Sequence, residues 1–303
     1  MERLLVVVNQ DAGTTDDDAV DSALTTLREG ADVRVAATAD EDELLAAVTA
    51  REGRRVVVIG GDGSVHATVR ALDRAGVLDP REPLGVIPRG TGNDLARTLG
   101  LPLDAAEAAD VVLTGAARPL DLVRDERGGV VVNAVHVGVG AEAGAEAARF
   151  KDRLGTAAFP LGAAIAGVTG SGSPLRVEVD GRVAAHGSEG WTADGRTDVL
   201  MLAVCTGRTI GGGTPLAPDA LPDDGLAEVV VCTATGPVAR AAFAAALLTG
   251  RHVDRDDVLV TRGRQVTFTG PPVDLNADGE LESGVTSRTW HVGRHAWSVL
   301  VPR

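Results

Sequence analysis

The residues with the clearest chemical potential follow a short apolar segment in the first half of the chain. Residues 56–59 (VVVI) lead into a turn made of Gly60, Gly61, Asp62, Gly63 and Ser64. This pattern predicts a buried strand, glycines with positive φ, and a helix with Ser64 as its N-cap. Helix N-termini bind anions, and a carboxylate beside a phosphate requires a cation or water between them. We therefore predict a nucleotide site with Mg²⁺ near Asp62.

A second glycine-rich turn follows another short strand pattern, residues 84–87. This turn contains Gly90, Thr91, Gly92, Asn93 and Asp94. The helix pattern after it is bounded by Gly100 and Pro102. An ordinary strand-to-helix connection explains either turn alone. Because the carboxyl ends of parallel strands face one crevice, the two turns together predict a ligand site.

The two turns resemble the catalytic domain of the diacylglycerol kinase and sphingosine kinase superfamily. The residues that carry the resemblance are GGDGS at 60–64 and IPRGTGNDLAR at 87–97. NAD kinases and 6-phosphofructokinases share the first motif but not the second. The resemblance implies an ATP-dependent lipid kinase in which both turns contact the nucleotide.

Other residues bear on the same nucleotide site. Asn9 and Gly13 match the N-P-x-x-G pattern of the family, whereas Gln10 departs from it. Thr38 lies where the family has a nucleotide-contacting threonine, and it is equally suited to be a helix N-cap. His66 either contacts a phosphate or caps the helix that follows the first turn. We expect Asn9, Gly13, Thr38 and His66 to be among the ATP contacts.

Asp121 lies within an apolar strand pattern, Leu120 to Leu122, where a carboxylate needs a cation or hydrogen-bond donors. The resemblance implies that Asp121 joins Asp62 and Asp94 in a network of Mg²⁺ and water. The alternative is an aspartate on an edge strand that faces solvent.

A second cation site is implied near the Asp224-Gly225 pair. By resemblance, Asp224 holds a structural Mg²⁺ together with the backbone carbonyls of Leu221 and Leu226. One carboxylate with carbonyl oxygens suits a hard cation. The alternative is a simple Asp-Gly turn.

Asp278 and Glu280, separated by Gly279, form the most consequential carboxylate pair. They resemble the family's D-G-E element, which implies a general base for the lipid hydroxyl. An extended segment would point both carboxylates to one face, a bend at Gly279 would separate them, and a solvated hairpin turn is the plain alternative. We assign the base to Glu280 first and to Asp278 second, with Asp62 as the other catalytic residue.

Composition limits the function classes. The 303 residues carry a net charge of −14, which argues against nucleic-acid binding and against broad docking on an anionic membrane. There is no run of about 18 apolar residues and no signal-peptide cleavage region. Cys205 and Cys232 lie in apolar strand patterns and are expected as buried thiols. We therefore expect a cytoplasmic protein that contacts its lipid substrate locally and transiently at the inner face of the membrane.

Strand and helix patterns divide the chain into two expected domains. Residues 1–123 alternate strands and helices, which predicts a nucleotide-binding α/β domain with a parallel sheet, similar to NAD kinase and diacylglycerol kinase. Residues 124–295 contain many short strand patterns and predict a β-sandwich-rich domain that accepts the lipid. Helical insertions are expected over residues 142–168 and 238–249. Residues 296–303 are expected to return to the first domain as a strand.

The acceptor that we expect is diacylglycerol, which would give phosphatidic acid. A sphingoid base, a ceramide-like lipid or phosphatidylglycerol is the alternative with the same chemistry. A non-catalytic nucleotide or lipid sensor is the alternative of a different class, and the departures at Gln10 and Thr206 favour it. A third alternative is an NAD kinase. Relatives in this family often form homodimers, but no sequence feature marks an interface.

Overall fold

The computed structural model describes four stretches of the chain, residues 1–9, 17–138, 172–184 and 194–303. The chain divides into two compact units. The first comprises residues 1–122 and 294–303, and the second comprises residues 123–293. The helix expected over residues 142–168 lies outside the described residues.

The first unit alternates strands and helices. In chain order they are β1 (Glu2–Asn9), α1 (Asp17–Gly30), β2 (Ala31–Thr38), α2 (Glu41–Thr49), β3 (Arg55–Gly60), α3 (Asp62–Arg74), β4 (Gly85–Pro88), α4 (Asp94–Leu99), α5 (Ala105–Thr114) and β5 (Ala116–Asp125). A four-stranded sheet has the order β2, β1, β3, β4, and every neighbouring pair is parallel. Leu4, Val57 and Ile87 from the strands pack with Leu27 and Val112 from the helices. The predicted parallel α/β fold is confirmed.

Helix α2 begins later than the sequence predicts. Its N-cap is Asp40, whose carboxylate accepts the N–H of Glu43 at 2.9 Å. The prediction that Thr38 is an N-cap was therefore wrong. Thr38 is the last residue of β2 and is buried. A side chain that ends a strand cannot cap a helix that starts three residues later.

Helix α3 begins earlier than the sequence predicts. Its N-cap is Gly61, with extended backbone and no side-chain hydrogen bond, and Asp62 is already helical. Ser64 therefore lies in the first turn of the helix, and the prediction that it is the N-cap was wrong. His66, buried one turn further on, does not cap the helix either. None of the glycines in the GGDG turn, all of which are described, has a positive φ.

The second unit is rich in antiparallel strands. Its elements are β6 (Val130–Val131), β7 (Ala134–Gly138), β8 (Ser173–Val179), β9 (Arg182–Val183), β10 (Thr197–Val199), β11 (Met201–Cys205), β12 (Thr209–Ile210), β13 (Thr214–Pro215), β14 (Ala227–Cys232), α6 (Pro237–Leu247), a 3-10 helix (Arg251–Asp254), β15 (Val258–Gly263), β16 (Gln265–Ala277) and β17 (Glu280–Val301). Strands β15, β14, β11 and β7 pair in that order. The first half of β16 pairs with β8 and its last residues pair with β7. This architecture confirms the predicted β-rich second domain.

Two apolar clusters form the core of the second unit. One contains Val135, Leu202 and Trp290, and the other contains Met201 and Phe243. Alternate residues of β7 and β11 contribute to different clusters, as expected when both faces of a strand are buried. Cys205 and Cys232 belong to this core as free, buried thiols, as predicted.

The last residues of β17 belong to the first unit, where they pair in parallel with Leu84, the residue before β4. Val299 forms a parallel bridge with Leu84. The N–H of Leu84 donates to the carbonyl of Ser298 at 2.8 Å, and the N–H of Leu300 donates to the carbonyl of Leu84 at 3.0 Å. Residues 294–303 thus complete the first unit from the other end of the chain.

His136 in β7 is a buried imidazole whose Nδ1 has no hydrogen-bond partner among the described residues. Burial lowers its pKa from 6.5 to about 4. Its cross-strand neighbours, Ala203 and Asn276, carry no charge that could offset this effect. Between pH 6.5 and pH 4 the unfolded chain binds a proton here that the folded chain does not bind. The folded state is therefore fully favoured above pH 6.5 and loses stability as the pH falls towards 4.

We expect His136→Gln to remove this part of the acid sensitivity. Between pH 7.5 and pH 4.5, the free energy of unfolding of the wild type should fall by about 2–3 kcal/mol more than that of the variant. Denaturant titrations of both proteins at the two pH values measure the difference. An identical pH dependence in the two proteins would contradict the burial of a neutral imidazole.

Candidate active site

The two glycine turns of the first unit lie against each other. A Cβ on Gly61 would lie 2.9 Å from the Cα of Gly90, and a Cβ on Gly90 would lie 2.6 Å from the Cα of Gly61. The N–H of Arg89 also donates to the carbonyl of Gly60 at 2.9 Å. Only glycine permits such a close approach of two backbones. The glycines are needed here for space rather than for positive φ.

Asp62 joins the first turn to the second. Its carboxylate oxygens accept the N–H of Asp94 at 3.0 Å and the N–H of Leu95 at 3.1 Å. These N–H groups open helix α4, and the N-cap of that helix, Asn93, makes no capping bond of its own. Asp62 therefore caps α4 from a distant part of the sequence.

Asn93 fixes the shape of the second turn. Its φ is 53°, in the left-handed region. Its Oδ1 accepts the N–H of Gly90 at 2.8 Å, and its Nδ2 donates to the carbonyl of Gly90 at 2.7 Å. Asparagine tolerates this conformation better than most residues do. The sequence analysis assigned Asp62 and Asn93 to ligand contacts and missed their structural bonds.

We expect Gly61→Ala to destabilise the protein by about 1–3 kcal/mol, because the new methyl group would push the two backbones apart. Gly63→Ala is the matched control, since a Cβ there meets nothing within 4 Å. Denaturant unfolding of both variants measures the difference in the free energy of unfolding. Equal stability in the two variants would contradict the close contact between the turns.

A pocket of about 220 Å³ opens at the carboxyl ends of β1, β2 and β3. Its polar lining is formed by Asn9, Thr38, Asp40, Glu41, Ser64 and Thr68. Asn9 and Thr38 end neighbouring strands and are paired in register, which brings them to the same edge of the sheet. The structure thus brings together three predicted nucleotide contacts, Asn9, Thr38 and Ser64, and Gly63 also lines the pocket.

The remaining predicted nucleotide contacts have different environments. Thr91 and Gly92 belong to the second turn, where Thr91 is exposed. His66 is 3% exposed within α3. Gly13 and the neighbouring Gln10 lie outside the described residues.

The carboxylates predicted to organise Mg²⁺ are buried. Asp121 is 1% exposed and Asp94 is 4% exposed. Asp121 Oδ1 accepts the N–H of His295 at 2.8 Å, so the alternative of a solvent-facing aspartate was wrong. In the described stretches, no group of three or more His, Cys, Asp or Glu residues is placed to bind a metal ion.

The turn around Asp224 is organised by other bonds. The carboxylate of Asp224 accepts the N–H of Leu226 at 3.0 Å and forms an ion pair with Arg262. Gly225 has a φ of 83°, which suits a tight turn. The guanidinium of Arg262 thus places a positive charge where the sequence analysis expected a cation. These contacts are those of the Asp-Gly turn alternative.

Asp278 and Gly279 form a two-residue turn between β16 and β17. Ala277 and Glu280 are paired across it, and the φ angles of Asp278 and Gly279 are 49° and 101°. Positive φ at both central residues is the geometry of a type I′ hairpin turn. Of the alternatives left open by the sequence, the extended segment was wrong: the structure has a hairpin turn with a bend at Gly279, so the two carboxylates do not share one extended strand. Glu280 is exposed.

The first unit has two adjacent glycine turns on a parallel sheet, and a β-rich unit follows it. This arrangement is found in a known class of enzyme. Residues 3–124 match the family described as diacylglycerol kinase catalytic domain. Residues 133–301 match the family described as YegS C-terminal NAD kinase beta sandwich-like domain. The chain is a lipid kinase. It belongs to the diacylglycerol kinase family.

Similar sequences and a similar solved structure support this assignment. The chain is 28% identical to a diacylglycerol kinase of Bacillus subtilis (strain 168), over 82% of this chain and 78% of that protein. It is 30% identical to a diacylglycerol kinase of Mycobacterium tuberculosis (strain CDC 1551 / Oshkosh), over 80% of this chain and 75% of that protein. A solved structure from Bacillus anthracis str. Sterne has the same fold, with a TM-score of 0.80, 21% identity, and coverage of 99% of this chain and 97% of that one.

The relation to membranes was also a sequence prediction. Within residues 1–9, 17–138, 172–184 and 194–303, no helix is both long enough and apolar enough to span a bilayer.

Proposed function

We propose that this lipid kinase transfers the γ-phosphate of ATP to the hydroxyl of diacylglycerol and so forms phosphatidic acid. The observation that carries the proposal is the pocket of the first unit beside two interlocked glycine turns. Diacylglycerol is supported as the acceptor by the names of the relatives from B. subtilis and M. tuberculosis. In this proposal the first unit binds the nucleotide and the second unit binds the lipid, at the inner face of the membrane.

The nucleotide would bind at the carboxyl edge of the parallel sheet, where ligands of open α/β sheets bind. Asn9, Thr38 and Ser64 supply polar groups at the pocket. The start of α3 would supply backbone N–H donors for the phosphates. Gly13 and His66 are further proposed contacts. Because the turns are already fixed by glycine contacts and by Asp62, little rearrangement is required when ATP binds.

Mg²⁺ that binds with ATP takes one or two protein carboxylates, with waters and phosphate oxygens as its other ligands. Asp62, Asp94 and Asp121 would each offer carboxylate oxygens, which are ligands of the kind that Mg²⁺ prefers. Mg²⁺ would neutralise negative charge on the phosphates. The structural Mg²⁺ expected at Asp224, Leu221 and Leu226 fits less well, because Asp224 is already paired with Arg262.

Glu280 is the proposed general base. An alkyl hydroxyl is a poor nucleophile, and a carboxylate that accepts its proton assists attack on the γ-phosphorus. Glu280 is an exposed carboxylate directly after the Asp278-Gly279 turn. Asp278, the second candidate, has its carboxylate oxygens engaged by backbone N–H groups. We therefore favour Glu280 over Asp278 as the general base.

The identity of the acceptor is tested by comparing kcat/KM for a series of lipids. Wild-type protein is given Mg²⁺, ATP and mixed micelles that contain diacylglycerol, sphingosine, ceramide or phosphatidylglycerol, and kcat/KM is measured for each lipid. NAD without micelles serves as the soluble acceptor. We expect diacylglycerol to have the highest kcat/KM and NAD to receive no phosphate. A higher kcat/KM for another lipid would replace diacylglycerol as the substrate.

A further inference from the structure

The carboxylate of Asp278 is bound by the backbone on the far side of the turn. It accepts the N–H of Val132 at 2.5 Å, of Asn133 at 3.0 Å and of Ala134 at 2.9 Å. The backbone N–H of Asp278 donates to the carbonyl of Ala134 at 3.0 Å. The three N–H groups occupy the carboxylate oxygens and engage their lone pairs with the protein backbone. This arrangement anchors the turn and is unsuited to proton uptake from a substrate.

The segment that holds Asp278 is itself fixed by Thr206. The hydroxyl of Thr206 donates to the carbonyl of Val132 at 3.0 Å, and its N–H donates to the carbonyl of Asn133 at 2.9 Å. Asn133 Nδ2 donates in turn to the carbonyl of Thr209 at 2.9 Å. Thr206 is 1% exposed. Thr206, which the sequence analysis treated as a departure from the family pattern, therefore has a structural role in this chain.

A second side chain holds the turn from within the hairpin. Asn276 Oδ1 accepts the N–H of Gly279 at 2.8 Å, and Asn276 is 6% exposed. Glu280 follows Gly279 directly, so the backbone on its N-terminal side is fixed by two neighbouring residues. Catalytic groups that are supported by buried hydrogen bonds of this kind keep the geometry that proton transfer needs.

We propose that Asp278 and Asn276 are positioning residues, which fix the backbone from which the Glu280 carboxylate reaches the substrate hydroxyl. The inference rests on the proposed role of Glu280 as general base. Under this inference Asp278 is no longer a candidate base, and it supports the same reaction by positioning Glu280. Asp278 then acts on turnover only through Glu280.

The first test separates a positioning role from a base role. We expect Asp278→Asn to lower kcat about 100-fold, with the KM for ATP within about twofold of wild type. The ascending limb of the pH profile of kcat/KM should persist, because Glu280 is still present. The double variant Asp278→Asn/Glu280→Gln should have the same kcat as Glu280→Gln alone, because the effects of residues that act as a unit are not additive. Loss of the pH limb in Asp278→Asn alone would overturn the proposal and make Asp278 the base.

A second pair of variants tests the turn without changing a carboxylate. Gly279 has a φ of 101° and Gly284 has a φ of 73°, and a Cβ on either meets nothing within 4 Å. Alanine is strained at both positions, but only Gly279 adjoins Glu280. We expect Gly279→Ala to lower kcat at least tenfold and Gly284→Ala to keep wild-type kcat, with similar thermal stability in the two variants. Equal kcat in both would overturn the proposal.

The outcomes also distinguish the inference from the proposed function. If Glu280→Gln is inactive while Asp278→Asn keeps wild-type kcat, the positioning role is wrong and the base assignment stands. If Glu280→Gln keeps wild-type kcat, the base assignment is wrong, and the positioning role falls with it.

Discussion

Glu280→Gln is expected to lower kcat by about 100-fold or more while ATP affinity stays within about twofold of wild type. Glutamine keeps the size of the side chain but cannot accept the proton of the lipid hydroxyl. Because Glu280 is exposed at the β16–β17 turn, the substitution should leave the free energy of unfolding unchanged. Turnover of lipid in micelles and equilibrium binding of ATP, measured on the same preparation, test the prediction.

The matched control is Asp274→Asn, which removes a carboxylate from the same hairpin. Asp274 Oδ1 accepts the N–H of Gly284 at 3.3 Å, a long and replaceable bond. We expect this variant to keep at least half of the wild-type kcat. Equal losses of kcat in Asp274→Asn and Glu280→Gln would mean that hairpin charge, rather than a base at Glu280, supports turnover.

Asp62→Ala is expected to lower kcat/KM for ATP by about 100-fold and to destabilise the protein by about 1–2 kcal/mol. The substitution leaves the N–H groups of Asp94 and Leu95 without their carboxylate partner. Both N–H groups open α4, so the second glycine turn would lose its link to the first. Binding and stability should therefore fall together.

Asp104→Ala is the control for the capping contribution alone. Asp104 caps α5 by accepting the N–H groups of Ala106 and Glu107, each at 3.0 Å. Its loss should cost a similar free energy of unfolding, while kcat/KM for ATP stays close to wild type. An equal fall of kcat/KM in the two variants would show that destabilisation alone explains the effect of Asp62→Ala.

Local patterns in the sequence predicted the elements well. The four apolar residues at 56–59 predicted a strand buried on both faces, and the structure has β3 there. The strand pattern at 84–87 is β4, shifted by one residue to Gly85–Pro88. Such segments are predictable because burial and strand propensity act on neighbouring residues. The N-cap residues were harder to predict, because a serine or threonine near the start of a helix does not show at which residue the helix begins.

Bonds between distant residues could not be predicted. The two bonds of Asp62 to α4 span 32 and 33 residues, and those of Asp278 to residues 132–134 span 144 to 146 residues. In each case a motif indicated that a carboxylate mattered, but tertiary structure determines which N–H groups it meets. Asn276 and Thr206 were missed as supporting residues for the same reason. The roles of the remaining motif residues in ATP and metal binding stay predictions.

The measurement that tests the central claim most directly is transfer of the labelled γ-phosphate of ATP to diacylglycerol in Mg²⁺-containing mixed micelles. Wild type and Glu280→Gln are compared, and bound ATP is measured in both. We predict labelled phosphatidic acid from the wild type alone, with ATP bound equally by the two proteins. ATP binding without label in any lipid would contradict the account and favour a nucleotide sensor.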